Sequence, residues 1–207
     1  MAIAKWYPAA IVAAFNKEID IVDDSIYAAL VTSSYTPADT HDFWNDVVAN
    51  EVANGNGYTT NGVALASKGF AFTAANSWGA SWAAATAYKA GTLVRPTTGN
   101  GYVYRAQGDG TSAGSEPTWP TTVGDEVTDN GVTWTNYGRG VIAYTFTDPA
   151  WTSLTKDFRY VVFVNRTPAS DATRHVLGYI DMGAQSLTAT NLTIDVPSTG
   201  LLTFPLI

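Results

Sequence analysis

Six carboxylates, Asp20, Asp23, Asp24, Asp39, Asp42 and Asp46, crowd the first part of the chain, and a pair of them could serve as the acid and base of a glycosidase. They stand in turn or capping contexts, where Asp is favoured for local hydrogen bonds to the backbone. The two histidines, His41 and His175, have no H-x-x-x-H spacing and no cysteine partner, so a metal site would need a spatial coincidence with Asp residues. Ser33, Ser34 and Ser77 lack the G-x-S-x-G elbow of an activated serine. The loop Asp109–Gly114 lacks the Gly-Lys-Ser/Thr that a phosphate-binding loop requires. The expectation is therefore no catalytic residue, no metal and no cofactor.

The aromatic residues carry more. Carbohydrate sites stack sugar faces on Trp and Tyr rings, which give apolar area at a small entropy cost. Trp82, Tyr88, Tyr102, Tyr104, Trp119, Trp134 and Tyr137 are the candidates. Strand alternation puts Tyr102 and Tyr104 on one face, with Val103 opposite, so both belong to a core or both to a surface.

Short strands must position these rings. From Ala87 to Tyr137 the chain reads as aromatic and aliphatic alternation cut by Gly, Pro and Asn, the pattern of a small complete β-module. The flanks, 1–75 and 142–207, hold apolar runs read as strands at Ala10–Phe15, Ile26–Thr32, Val63–Phe72, Ile142–Phe146, Phe158–Asn165, His175–Met182, Asn191–Val196 and Leu201–Leu206. Asp39 or Thr40 is expected to cap a short helix in which Phe43, Val47 and Val48 share a face, with Trp44 beside them. Neither flank alone supplies two packed sheets; together they do. The expected fold is all-β: an antiparallel, jelly-roll-like β-sandwich formed by 1–78 and 140–207, interrupted by an inserted module at 79–139. The turns Asn76–Gly79 and Tyr137–Gly140 serve as its boundaries.

At this point a resemblance enters. Trp82, A-Y-x-x-G-x-x-V at Ala87 to Val94, G-Y-V-Y-R-A at Gly101 to Ala106, Glu116-Pro117 and Trp134 together resemble the small chitin- and cellulose-binding modules appended to glycoside hydrolases. The same block recurs in tailed-bacteriophage structural proteins. The flanking runs at Phe15–Asp20, Ala29–Pro37, Asp39–Trp44, Gly57–Thr59 and Leu177–Asp181 resemble a family of small phage virion proteins. The resemblance implies that Tyr88, Tyr104 and Trp134 build the module core, leaving Trp82, Tyr102 and Trp119 as an exposed glycan platform. It also implies a protein of the virion exterior, made in the host cytoplasm and exported by lysis and virion release rather than by secretion.

Composition agrees with a globular chain: of 207 residues, 46% are hydrophobic and only 14% charged. Thr, Val, Tyr, Trp and Gly favour pleated structure over helix. A net charge of −7 and a pI near 4.6 argue against nucleic acid, whose phosphates need a basic face. Without cysteine, disulfides are excluded and the compartment stays undecided. No stretch is apolar enough to span a bilayer and no signal peptide is expected. The leading expectation is a non-enzymatic capsid decoration or accessory protein, partnered with other virion proteins and with copies of itself. The alternative is a tail-tip or fibre adhesin reading host-surface glycans. The apolar ends, Trp6-Tyr7-Pro8 and 201–207, are candidate contacts for assembly.

Overall fold

A computed structural model describes residues 4–196 and, as backbone alone, a strand at 202–206. In chain order the elements are β1 (Ala4–Trp6), α1 (Pro8–Phe15), β2 (Ile26–Val31), β3 (Val63–Ala64), β4 (Gly69–Ala74), β5 (Ala87–Tyr88), β6 (Leu93–Val94) and β7 (Val103–Ala106). They continue with β8 (Gly110–Thr111), β9 (Glu126–Asp129), β10 (Val132–Gly138), β11 (Gly140–Thr145), β12 (Ala150–Asn165), β13 (Val176–Thr193) and β14 (Leu202–Leu206). The protein is all-β and sandwich-like, and its described strand pairs are antiparallel. Two compact units share the chain, Ala4–Gly69 with Thr145–Val196, and Phe70–Tyr144.

The first unit is built on a five-stranded sheet in the order β1-β13-β12-β2-β3. β2 reads as an unbroken apolar run because five of its six residues are buried, as are Val161 to Asn165 of β12, which pairs with it. Toward Ala150 only Trp151, Leu154, Phe158 and Tyr160 are buried, an uneven spacing that goes with the register shifts in the pairing of β12 with β13, which mark bulges. Ser153 and Ala189, both at positive φ, sit in that irregular stretch. Tyr7, Val31, Tyr35, Trp44, Val47, Tyr160, Val162 and Val176 form its main core cluster.

Two local expectations are corrected in this unit. Ala10–Phe15 belongs to a helix rather than a strand: Pro8 opens α1 with its fixed φ, and Ala9, Ala10, Ala13 and Ala14 supply the strongest helix formers. The helix expected after Asp39 or Thr40 is instead a pair of 3-10 turns, Trp44–Asp46 and Val48–Asn50. Asp46 Oδ2 accepts the Asp42 amide at 3.1 Å, doing the capping from within. Trp44 and Val47 point inward while Val48 is exposed, since tighter winding moves the apolar face.

The second unit contains a four-stranded sheet, β6-β7-β10-β9, the pair β5-β8, and the sheet β14-β11-β4. Ala75, Trp78, Leu93, Val103, Tyr137, Val141 and Ala143 form one core cluster. Trp82, Tyr88, Val94, Tyr104, Ala106, Val132 and Trp134 form the other. The packing of this unit thus reaches beyond 79–139, to Ala75 and Trp78 on one side and Val141 and Ala143 on the other. Of the two expected assembly ends, Trp6 is half-buried on the edge strand β1 and Tyr7 is core. The side chains of 201–207 lie outside the described residues.

Candidate functional site

The aromatic cluster of the second unit is organised by one carboxylate. Asp129 ends β9 in an Asp-Asn-Gly turn and is buried. Its Oδ2 accepts the indole N–H of Trp82 at 2.8 Å and that of Trp134 at 3.0 Å, while Oδ1 accepts the Ala113 amide at 2.8 Å. Three N–H donors replace the water that an isolated buried carboxylate would lose. Tyr88 stands edge-on to Trp134 with centroids 4.9 Å apart, and Tyr104 is fully buried between β6 and β10. The Tyr104 hydroxyl donates to the Pro120 carbonyl and accepts from Asn100 Nδ2, both at 2.8 Å.

Trp119 lies over this core. Its ring packs on Tyr104 at 4.3 Å between centroids and meets Trp134 edge-on at 5.9 Å. The indole N–H donates to Glu116 Oε1 at 2.8 Å, and the same carboxylate accepts the Thr97 amide at 2.8 Å and the Thr97 hydroxyl. Burial pushes Glu116 up, but these donors outweigh it and hold its carboxyl below the usual range. Arg95 steadies the bend at Thr97 by donating Nε to the Trp78 carbonyl at 2.9 Å and Nη1 to that of Pro96 at 3.1 Å. Trp119 is therefore half-buried, clamped at its nitrogen and backed by Tyr104.

The expected platform is corrected at two of its three positions. Trp82 is buried, 6% exposed, because its N–H is drawn inward to Asp129. Tyr102 is half-buried, with the Arg139 guanidinium 5.0 Å from its ring centroid and Nη2 donating to its hydroxyl at 3.1 Å. That cation covers a face a sugar would need. Tyr102 and Tyr104 pack on the same cluster, yet Tyr102 precedes β7 and emerges at the rim. Tyr88, Tyr104 and Trp134 are 9%, 0% and 0% exposed, and Tyr137 is buried with Arg105 4.4 Å from its ring centroid.

A second cluster, in the first unit, was not legible as a site. Tyr35 Oη sits 2.6 Å from Tyr7 Oη and 2.7 Å from His41 Nδ1. Tyr160 meets Tyr35 edge-on at 5.6 Å, and Tyr179 packs on Tyr7 at 5.3 Å. The other histidine, His175, stacks on Phe43 at 4.6 Å, with Nε2 3.4 Å from Glu18 Oε2. Nearby Arg166 is buried 4.5 Å from the centroid of Trp44, and burial lowers its pKa. Among the described residues no three His, Cys, Asp or Glu side chains gather into a metal-binding group. Asp20 accepts backbone amides within its own turn, as Asx geometry dictates, and Asp24 Oδ2 accepts both the Asp20 amide and Asn165 Nδ2, the latter at 2.7 Å. Tyr7, Tyr35 and His41 lack any sequence spacing that would have joined them; β1 and the loop after β2 bring them together. No family model, curated protein or solved structure matches this chain.

Proposed function

We propose that the chain is a non-enzymatic structural protein of a tailed-bacteriophage virion, most simply a capsid decoration or accessory protein on the particle exterior. It docks through the first unit, associates with copies of itself on the lattice, and displays the aromatic module. The observation that supports docking is the outer face of α1: Phe15 is 80% exposed and Val12 59% exposed on a helix with no charged residue. Apolar helix surface left in water is a usual mark of a protein contact. The virion setting rests on the resemblance of the flanking motifs. Quantitative mass spectrometry and cryo-electron microscopy of purified particles test it. Hundreds of copies on the head are expected, and absence from the particle would overturn the proposal.

A second reading, a tail-tip or fibre-associated adhesin for host-surface glycans, is favoured by Trp119. Its ring is held by Glu116 and Tyr104 while part of it stays accessible. A handful of copies at the tail would favour this reading over decoration. One half-exposed ring makes a weak site, so retention would rest on many copies acting together.

A further inference from the structure

We propose that Asn56 and Gly57 form a self-modifying site, at which the Asn56 side chain deamidates through a cyclic imide to aspartate and isoaspartate. This inference is independent of the virion reading. The chain carries five Asn-Gly pairs, beginning at Asn54, Asn56, Asn61, Asn100 and Asn130. A glycine after asparagine leaves its amide with no side chain to shield it. The five pairs are chemically alike in an unfolded chain, so the fold chooses among them.

The reaction sets what the fold must supply. Hydroxide takes the proton of the Gly57 amide, whose nitrogen attacks Asn56 Cγ. The new N–Cγ bond closes a five-membered imide, the Cγ–Nδ2 bond breaks, and Nδ2 leaves as ammonia with a proton from water. Water then opens the ring. Addition at the side-chain carbonyl gives aspartate, and addition at the backbone carbonyl gives isoaspartate. The nucleophile must therefore be an amide that donates to no acceptor, beside a side chain free to swing.

Four of the pairs fail this requirement. Gly55 N donates to the Tyr58 carbonyl at 2.8 Å, and Gly62 N to that of Thr59 at 2.9 Å. Gly131 N donates to the Thr111 carbonyl at 3.1 Å, and Asn130 Nδ2 reaches the same oxygen at 3.1 Å. Gly101 N donates to Asn76 Oδ1 at 3.1 Å, while Asn100 is held by the Tyr104 hydroxyl and the Tyr102 amide. Among the described residues, the Gly57 amide has no acceptor and the Asn56 side chain no partner, and both residues are exposed.

The turn also supplies a route to ring closure. Asn56 and Gly57 are the central residues of a turn closed on both sides, by Gly55 N to the Tyr58 carbonyl and by Tyr58 N to the Gly55 carbonyl at 3.1 Å. Their φ values of 51° and 83° make it type I′. Flipping the central peptide converts type I′ to type II′ and keeps both closing bonds. The flip brings the Gly57 nitrogen to the same side of the Cα–C bond as Asn56 Cβ, as a five-membered ring requires. Gly57 absorbs it because its φ can change sign. The bond given up is that from the Thr155 amide to the Asn56 carbonyl, 2.9 Å, and Thr155 is exposed, so water replaces it.

The isoaspartate product does not fit this place. It adds a backbone carbon to a turn so close to β12 that a Cβ on Gly57 would lie 2.6 Å from the Ser153 carbonyl oxygen. The turn cannot shift to make room, because Tyr58 is buried with its hydroxyl donating to Glu51 Oε1 at 2.7 Å. Conversion thus undocks the turn from β12 and adds negative charge to an acidic chain.

The test ages the full chain in mildly alkaline buffer and maps its peptides, with electron-transfer fragmentation to place each amide-to-acid mass shift and to identify isoaspartate. Asn56 is expected to convert at least about fivefold faster than each of the other four, the population cost of freeing one hydrogen-bonded amide. In guanidinium chloride that preference is expected to vanish. Equal rates in the folded chain, or faster conversion at another pair, would overturn the proposal. A preference for Asn56 that survives unfolding would overturn it too, since the turn would then not be its source. Asn56→Gly keeps the positive φ without the reactive amide. Wild type is expected to lose melting temperature on ageing while this variant holds its own, and equal loss in both would overturn the undocking.

Discussion

Asp129 Oδ2 takes the indole N–H of Trp82 at 2.8 Å, joining residues 47 apart in sequence within the core of the second unit. With Trp134 on the same oxygen and Ala113 on the other, the carboxylate ties β9, β10 and the segments before β5 and after β8 together. It is the polar centre of an otherwise aromatic cluster.

Asp129→Asn keeps the shape but turns one acceptor atom into a donor facing donors. At least one N–H loses its partner, and such a loss inside a core costs about 1–3 kcal/mol. Urea unfolding followed by tryptophan fluorescence should show that loss at neutral pH. Unchanged stability would mean the three bonds are not made together.

Gly110 on β8 faces the Gly131 carbonyl so closely that a Cβ would fall 2.0 Å from its oxygen. Gly110→Ala must push backbone against backbone and is expected to destabilise the chain by about 1–3 kcal/mol or more. Gly108→Ala, where a Cβ meets nothing within 4 Å, is the matched control and should be near neutral. Circular dichroism melts of the pair would settle the comparison.

Glu116 gives a pH signature. Burial raises its pKa and the Thr97 and Trp119 hydrogen bonds lower it more, so the net folded value lies below the unfolded one. Its contribution is present above the usual glutamate value of about 4.3 and is lost as pH falls through the folded value. Trp119 fluorescence should change in acid, on the low side of the usual glutamate range. In Glu116→Gln this acid step should disappear, and its persistence would assign the step to another carboxylate.

Trp119→Ala tests glycan recognition. A stacked ring contributes about 0.5–1.5 kcal/mol beyond its buried area, so a single site is visible only through many copies. Particles carrying the variant should lose retention on chitin, cellulose or host-surface polysaccharide while the fold persists by circular dichroism. No wild-type retention on any of these surfaces would leave the module as a spacer.

Phe15→Asp probes the outer face of α1. At 80% exposure the ring adds little to the fold, and the change should shift unfolding free energy by no more than about 0.5 kcal/mol. Incorporation into particles, read by mass spectrometry, should fall sharply. Equal incorporation would place the docking surface elsewhere.

Much of the fold was written in local pattern. Alternation around Val132-Thr133-Trp134 marked β10 because a half-buried strand repeats every two residues, whereas Val103 and Tyr104 of β7 are both buried, one in each of the unit's two core clusters. The unbroken Ile26–Val31 run announced a strand buried on both faces. The same reading misjudged Ala10–Phe15, where an apolar run has no period and only the alanines and Pro8 speak for helix.

The ring positions at the site were decided by tertiary structure. Nothing in the spacing of Trp82 and Asp129 says that the indole turns inward, because a hydrogen bond across 47 residues leaves no local trace. Tyr102 and Tyr104 share a face in sequence, yet Arg139 covers one while Trp119 covers the other, a difference set by which loops fold over each ring. The Tyr7–Tyr35–His41 relay is likewise non-local: the junction of β1 and α1, the turn after β2 and the loop before Trp44 each supply one group. Sequence by itself determined where strands and turns could form, because those are local energies. Which polar atoms were buried together, and so which side chains remain free to act, was decided only when the sheets closed over them.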